Sequence, residues 1–189
     1  MNRLSARSIS AAALVCSAVL SGCATTGSGT PDERFGQALQ AMQADNYQRA
    51  EGLLVSINDR EPDHAGVWAN LGIVLSNLER EAEAVQALEQ AIALNPKLAA
   101  AHNELGVLHR RAGRLSAAET AYQNALDADS GYASAHRNIG VLYDLYLGQP
   151  DKALEHYQRF IELDSTDEQV QRWIVELERR VAVREARNR

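Results

Sequence analysis

The chain has 189 residues, is 46% hydrophobic and carries a formal net charge of −6. That is enough apolar residue for one domain with a continuous core, and the charge excludes the broad basic footprint of a nucleic-acid-binding protein. Both cysteines, Cys16 and Cys23, fall in the first 23 residues, so the body that follows has no internal disulfide and relies on packing.

Residues 1–22 read as a secretory signal. Arg3 and Arg7 precede the apolar run Ile9 to Leu20, and Ser21-Gly22 supplies a small-residue exit. The run is too short to span a bilayer as a mature helix. The Leu20-Ser21-Gly22-Cys23 that closes it resembles the lipobox of bacterial lipoproteins. That resemblance implies acylation of Cys23, which becomes the new N-terminus, and a stable anchor because several acyl chains are attached. Ala24 after the cysteine, by resemblance to enteric sorting, implies the periplasmic face of the outer membrane. Residues 23–31 then form a small, polar, Gly/Ser/Thr-rich linker that cannot bury apolar surface.

A repeating body is expected over 32–165. Ala65 to Pro96 reads as two amphipathic helices joined by a polar turn, and its landmarks recur. Gly72, Gly106 and Gly140 are evenly spaced; so are Ala50, Ala84 and Ala118, with Ala153 one residue late. Pro62 and Pro96 keep the same spacing. Trp68, Leu71-Gly72 and Leu75, then Ala84, Leu88 and Pro96, follow the order of a period of about 34 residues. The first repeat is the most divergent, with Ala38 at the glycine position. The third places His102 and His109 at the Trp and Tyr positions, and Gly113 in its turn. The fourth places His136, Ile139-Gly140 and Tyr143 in its first helix, and the extra residue is expected in Leu145 to Pro150. The glycines and alanines at one phase predict close helix approach. Residues 166–189 predict a capping helix with Val170, Trp173, Ile174, Leu177 and Val181 on one face, followed by an arginine-rich, solvated end.

The pattern resembles the tetratricopeptide repeat (TPR) family over roughly Pro31 to Ser165. The resemblance implies an all-α solenoid of about four helix-turn-helix repeats with a C-terminal capping helix. It also implies a concave side lined by the first helix of each repeat, with positions 5, 9 and 12 facing the groove. Those positions are Phe35, Leu39 and Met42; Ala69, Ile73 and Ser76; Asn103, Val107 and Arg110; Arg137, Val141 and Asp144. The partner-binding set is Phe35, Leu39, Met42, Ile73, Asn103, Val107, Arg110, Arg137 and Val141, suited to a partner's extended peptide or helix. Position 9 is never Asn, so the chaperone-type carboxylate clamp is not expected.

No H-E-x-x-H, G-x-S-x-G, Walker or Rossmann pattern is present, and the repeat body lacks a cysteine nucleophile. His102, His109 and His136 are expected to pack rather than bind metal, so no catalytic residue, metal or cofactor is expected. The anchor and repeats together resemble type IV and Flp pilus assembly lipoproteins, which help place or assemble a secretin. Adaptors for peptidoglycan enzymes, or accessories to an envelope transport system, share the same design. A metal-dependent enzyme and a passive dimer are the competing classes. The sequence leaves the partner's identity and the oligomeric state open.

Overall fold

A computed structural model describes residues 30–187. The expected signal at 1–22, the lipidation site Cys23 and all but the end of the linker lie outside the described residues, as does the last residue of the arginine-rich end, Arg189. The described residues form helices and connecting turns, with no strand among them. The helices are α1 (Pro31–Gln43), α2 (Tyr47–Asn58), α3 (Ala65–Asn77), α4 (Glu81–Leu94), α5 (Ala99–Arg111) and α6 (Leu115–Ala128). They continue as α7 (Ala133–Val141), which runs on through a π turn (Leu142–Tyr146), then α8 (Pro150–Leu163) and α9 (Glu168–Arg187). No helix among the described residues is long and apolar enough to cross a membrane.

Thr30 and Pro31 belong to the first helix rather than to the linker. The Thr30 hydroxyl accepts from Glu33 N–H at 3.2 Å, and the Glu33 carboxylate accepts from Thr30 N–H at 2.9 Å. This reciprocal cap, with Pro31 in the first turn, starts α1 crisply. The exposed side chains Glu33, Gln37 and Gln40 give α1 a polar outward face, as the end of a stack requires.

Each helix pair closes through the same turn. Asp45, Glu79, Gly113 and Gly148 all have positive φ, between 53° and 72°. The N–H of Asn46, Arg80 and Arg114 donates back to the carbonyl of Ala41, Leu75 and His109 at 2.8–2.9 Å, satisfying a carbonyl the helix end leaves free. The extra residue of the fourth repeat extends the first helix, one of the two ways expected of it, the other being a looser turn. It does so through a π turn that begins at Leu142, ahead of the expected Leu145 to Pro150, and overlaps that stretch at Leu145 and Tyr146. Leu147 N–H donates to Leu142 O at 3.1 Å, a five-residue step, so one residue is taken up without breaking the helix. The wider turn pushes Leu145 out to 70% exposure and leaves Tyr146 half exposed.

The recurring glycines set the distance between paired helices. A Cβ at Gly72 would lie 2.6 Å from Leu88 Cγ, at Gly106 2.5 Å from the Tyr122 ring, and at Gly140 2.6 Å from the Tyr157 ring. Each glycine is a socket for the largest buried side chain of the following helix. Ala84, Ala118 and Ala153 are fully buried alongside them. The core runs the length of the stack as two contiguous apolar clusters.

One core position breaks the pattern. Asn58 stands where the later repeats have Ile92, Leu126 and Ile161. It is 8% exposed, and neither polar atom of its side chain has a hydrogen-bond partner among the described residues. An unpaired buried amide costs roughly 1–3 kcal/mol. Asn58→Leu is therefore expected to raise stability by about 1 kcal/mol, seen as a melting point about 3 °C higher. A lower melting point would show that Asn58 has a partner the packing does not reveal.

Candidate functional site: the concave face

First helices of successive repeats approach one another, α3 against α5 and α5 against α7, while successive second helices make no comparable contact. The first helices therefore line the inner side of the stack. Position 9 contributes Leu39, Ile73, Val107 and Val141. Leu39 is exposed and the other three are half-buried, so one aliphatic side chain per repeat reaches the inner surface. Phe35 and Met42 are half-buried and pack onto the first core cluster.

The polar residues expected to face a partner instead join neighbouring repeats. Asn103 is only 2% exposed; its Oδ1 accepts from Asn138 Nδ2 at 2.9 Å and its Nδ2 donates to Glu104 at 3.2 Å. It does not present its amide to the groove, because the bond from the next repeat draws it below the surface. Arg110 donates to the hydroxyls of Tyr122 at 3.3 Å and Tyr146 at 3.2 Å, and lies over the Tyr146 ring. Arg137 lies 5.3 Å above the Trp173 ring centre and 3.6 Å from the Asp167 carboxylate. Ser76 is buried and accepts from Arg111 at 3.1 Å, and Asp144 pairs with Arg180 at 2.9 Å. Ala69 is buried. Ser76, Asn103, Arg110, Arg137 and Asp144 thus tie a first helix to the repeat that follows, whereas Phe35, Met42 and Ala69 make apolar contacts, and position 9 lies between them along each helix. Glu104, on the same floor, has its carboxyl pushed up by burial, an effect that Asn103 and Arg111 partly offset.

α9 behaves as the first helix of a fifth, incomplete repeat. Trp68 Nε1 donates to Pro62 O at 2.6 Å, and Gln171 Nε2 donates to Ser165 O at 2.8 Å. His102 Nε2 meets Pro96 O at 3.0 Å and His136 Nε2 meets Ser130 O at 3.2 Å, each across the same six residues. Trp173 packs on Tyr157 with ring centres 5.5 Å apart. Val175 occupies the glycine position and is 67% exposed. The arginine-rich end is more ordered than a solvated tail: Arg179 pairs with Glu176, Arg180 with Asp144 and Arg184 with Asp151.

His102, His109, His136 and His156 are held by packing bonds. A carbonyl cannot donate, so Nε2 of His102 and of His136 carries the proton. Nδ1 of neutral His136 is then an acceptor, and His156 Nδ1–H donates to it at 3.0 Å. His109 Nδ1 accepts from Arg114 at 3.1 Å. No group of three or more His, Cys, Asp or Glu among the described residues is placed to hold a metal. His156 carried no motif in the sequence; only its place on the second helix opposite His136 reveals the pair.

Burial holds the His156 pKa below its ordinary value; His136 and Lys152 add to this and Glu155 opposes it. The unfolded imidazole protonates near pH 6.5, the folded one only at lower pH. The unfolded chain thus binds more protons across that interval, so the contribution is complete above about pH 6.5 and is lost as pH falls through the folded value. His109, lowered chiefly by burial, acts in the same sense. Glu104 acts oppositely. Thermal melts from pH 7.5 to 5.5 are therefore expected to fall less for His156→Gln than for the unaltered chain. Parallel curves would show that His156 does not titrate with folding.

Residues 41–103 and 97–165 each match the tetratricopeptide repeat family. No match to a curated protein was found. Among solved structures, PilF of Pseudomonas aeruginosa is similar with a TM-score of 0.73 and 20% identity, over 80% of this chain and 69% of that one. A MamA crystal structure gives 0.65 and 20%, over 82% and 85%. YrrB, described as a TPR protein with an unusual peptide-binding site, gives 0.58 and 24%, over 75% and 72%. At these identities the likeness establishes the fold. The family matches are to a repeat scaffold, and no enzyme domain accompanies them. Spanned from 41 to 165 by the two family matches, the chain belongs to the tetratricopeptide repeat family.

Proposed function

We propose that the chain is a lipid-anchored, non-enzymatic scaffold that holds a partner protein against its concave face at the periplasmic side of the outer membrane, in the service of pilus or secretin assembly. The observation that carries this reading is the line Leu39, Ile73, Val107 and Val141, one exposed or half-buried aliphatic side chain per repeat on the first helices. A TPR stack works by offering such a surface, and peptide or helix partners fill it. The Leu20-Ser21-Gly22-Cys23 segment supports the anchor, and the fold likeness to PilF supports the assembly role.

The anchor is tested by metabolic labelling with a radioactive fatty acid and by membrane fractionation. The unaltered chain is expected to take up label and sediment with outer membranes, and Cys23→Ser to do neither. Equal labelling of the variant would refute the anchor. Co-purification from solubilised envelopes tests the assembly role. A secretin or pilus subunit recovered with the chain supports it, and peptidoglycan enzymes recovered in their place would move the role to cell-wall adaptor.

A further inference from the structure

The concave face has spent most of the polar groups with which it would hold an extended peptide. Asn103 is buried between Asn138 and Glu104, Arg110 serves two tyrosine hydroxyls, and Arg137 is held by Asp167 and Trp173. The amide donors of Asn70 and Asn77 bond carbonyls of their own helix, at 2.7 and 2.9 Å. What the face offers is the line Leu39, Ile73, Val107 and Val141. An extended segment laid there would bring a row of N–H and C=O groups that need partners, and burying them unpaired is unfavourable. A helix satisfies its own backbone and asks only for apolar contact.

The spacing agrees. Packed helices lie about 8–10 Å apart, so successive position-9 side chains repeat at roughly that interval. Seven residues of helix advance about 10.5 Å, which sets one apolar residue per heptad over each repeat. Charge supplies the flank. Arg110 and Arg111 are consecutive at the end of α5. Arg110 bonds the two tyrosine hydroxyls and Arg111 bonds Ser76, but neither guanidinium forms an ion pair among the described residues, so both charges lack a counter-charge in direct contact. Arg111 is exposed. Acidic side chains on the incoming helix would complete them.

We propose that the concave face takes an amphipathic helix of a partner protein, with apolar residues a heptad apart on the Leu39–Val141 line and acidic residues toward Arg110 and Arg111. This rests on the groove reading above. The test pans the full-length chain, in detergent, against peptides of about 20 residues, long enough to cross the face as a helix of roughly 30 Å. Half of the library carries a central Pro-Gly pair. The enriched peptides are the probes, their affinity read by fluorescence anisotropy and their helicity by circular dichroism.

The expected result is enrichment of peptides without Pro-Gly that carry acidic residues and become helical on binding. They should weaken about tenfold on a central proline or on Val107→Asp, and about fivefold on Arg111→Glu, whose melting curve is read alongside because Arg111 also donates to the buried Ser76. Peptides that keep Pro-Gly yet depend on Val107 would overturn the helix and leave the groove standing. Peptides indifferent to both Val107→Asp and Arg111→Glu, or no enrichment at all, would overturn both.

Discussion

Tyr122→Ala is expected to lower the unfolding free energy by about 4 kcal/mol, the loss typical of a large aromatic removed from a core. The ring is fully buried, lies where a Cβ at position 106 would be 2.5 Å away, and lends its hydroxyl to Arg110. Removing it empties the socket, parts α5 from α6 and takes one bond from the arginine that joins the third repeat to the fourth. Gly106→Val attacks the same contact from the other side. With no room for the added carbons it is expected to cost about 1–3 kcal/mol, even though valine is the better helix former. The two together should cost clearly less than their sum, because valine enters the volume the tyrosine leaves. Denaturant unfolding of the two single variants and the double variant reads this directly. Additive losses would mean that the pair does not set the helix spacing.

Val107→Asp combined with Val141→Asp is expected to weaken partner capture about a hundredfold. Each apolar side chain buried by a partner contributes about 1.5–3 kcal/mol, which is at least about tenfold in affinity. A carboxylate in the same place adds a desolvation cost. Both side chains are half-buried beside the second core cluster, so the variant's melting curve belongs in the same experiment. Glu89→Ala, exposed on α4, supplies the control that should change nothing. The polar pair Asn103 and Arg137 is the poorer choice for this test. Both hold one repeat to the next, and their loss would loosen the stack itself.

The repeat was legible because its signals are local and repeated. The glycines at 72, 106 and 140 need a close partner wherever they recur, and the buried ring or leucine duly lies opposite each. The position-9 line Leu39, Ile73, Val107 and Val141 came from the same count, and the fold leaves these side chains exposed or half-buried. What the count could not show is which polar side chains would be taken up by a neighbour. Asn103 and Asn138 are separated by a whole repeat and one residue more, so their bond depends on how two first helices lean together. The single inserted residue was visible, and a longer first helix was one of two expected ways to absorb it, but the π turn that does so from Leu142 was not. A π turn has no sequence signature, and Gly148 and Pro150 looked like the natural place for it. The last helix was recognised as a cap. Its identity as a fifth first helix emerges only from the Gln171 bond, which repeats that of Trp68 with a different side chain.

The most direct test of a concave binding face is site-specific photo-crosslinking in cells that express the full-length chain. A photoreactive residue replaces Leu39 or Val107 on the inner side, or Gln86 on the exposed side of α4. The predicted result is one and the same protein trapped from positions 39 and 107 and not from 86. Crosslinks from 86 alone, or equally from all three, would contradict it and move the partner to the outer side of the stack.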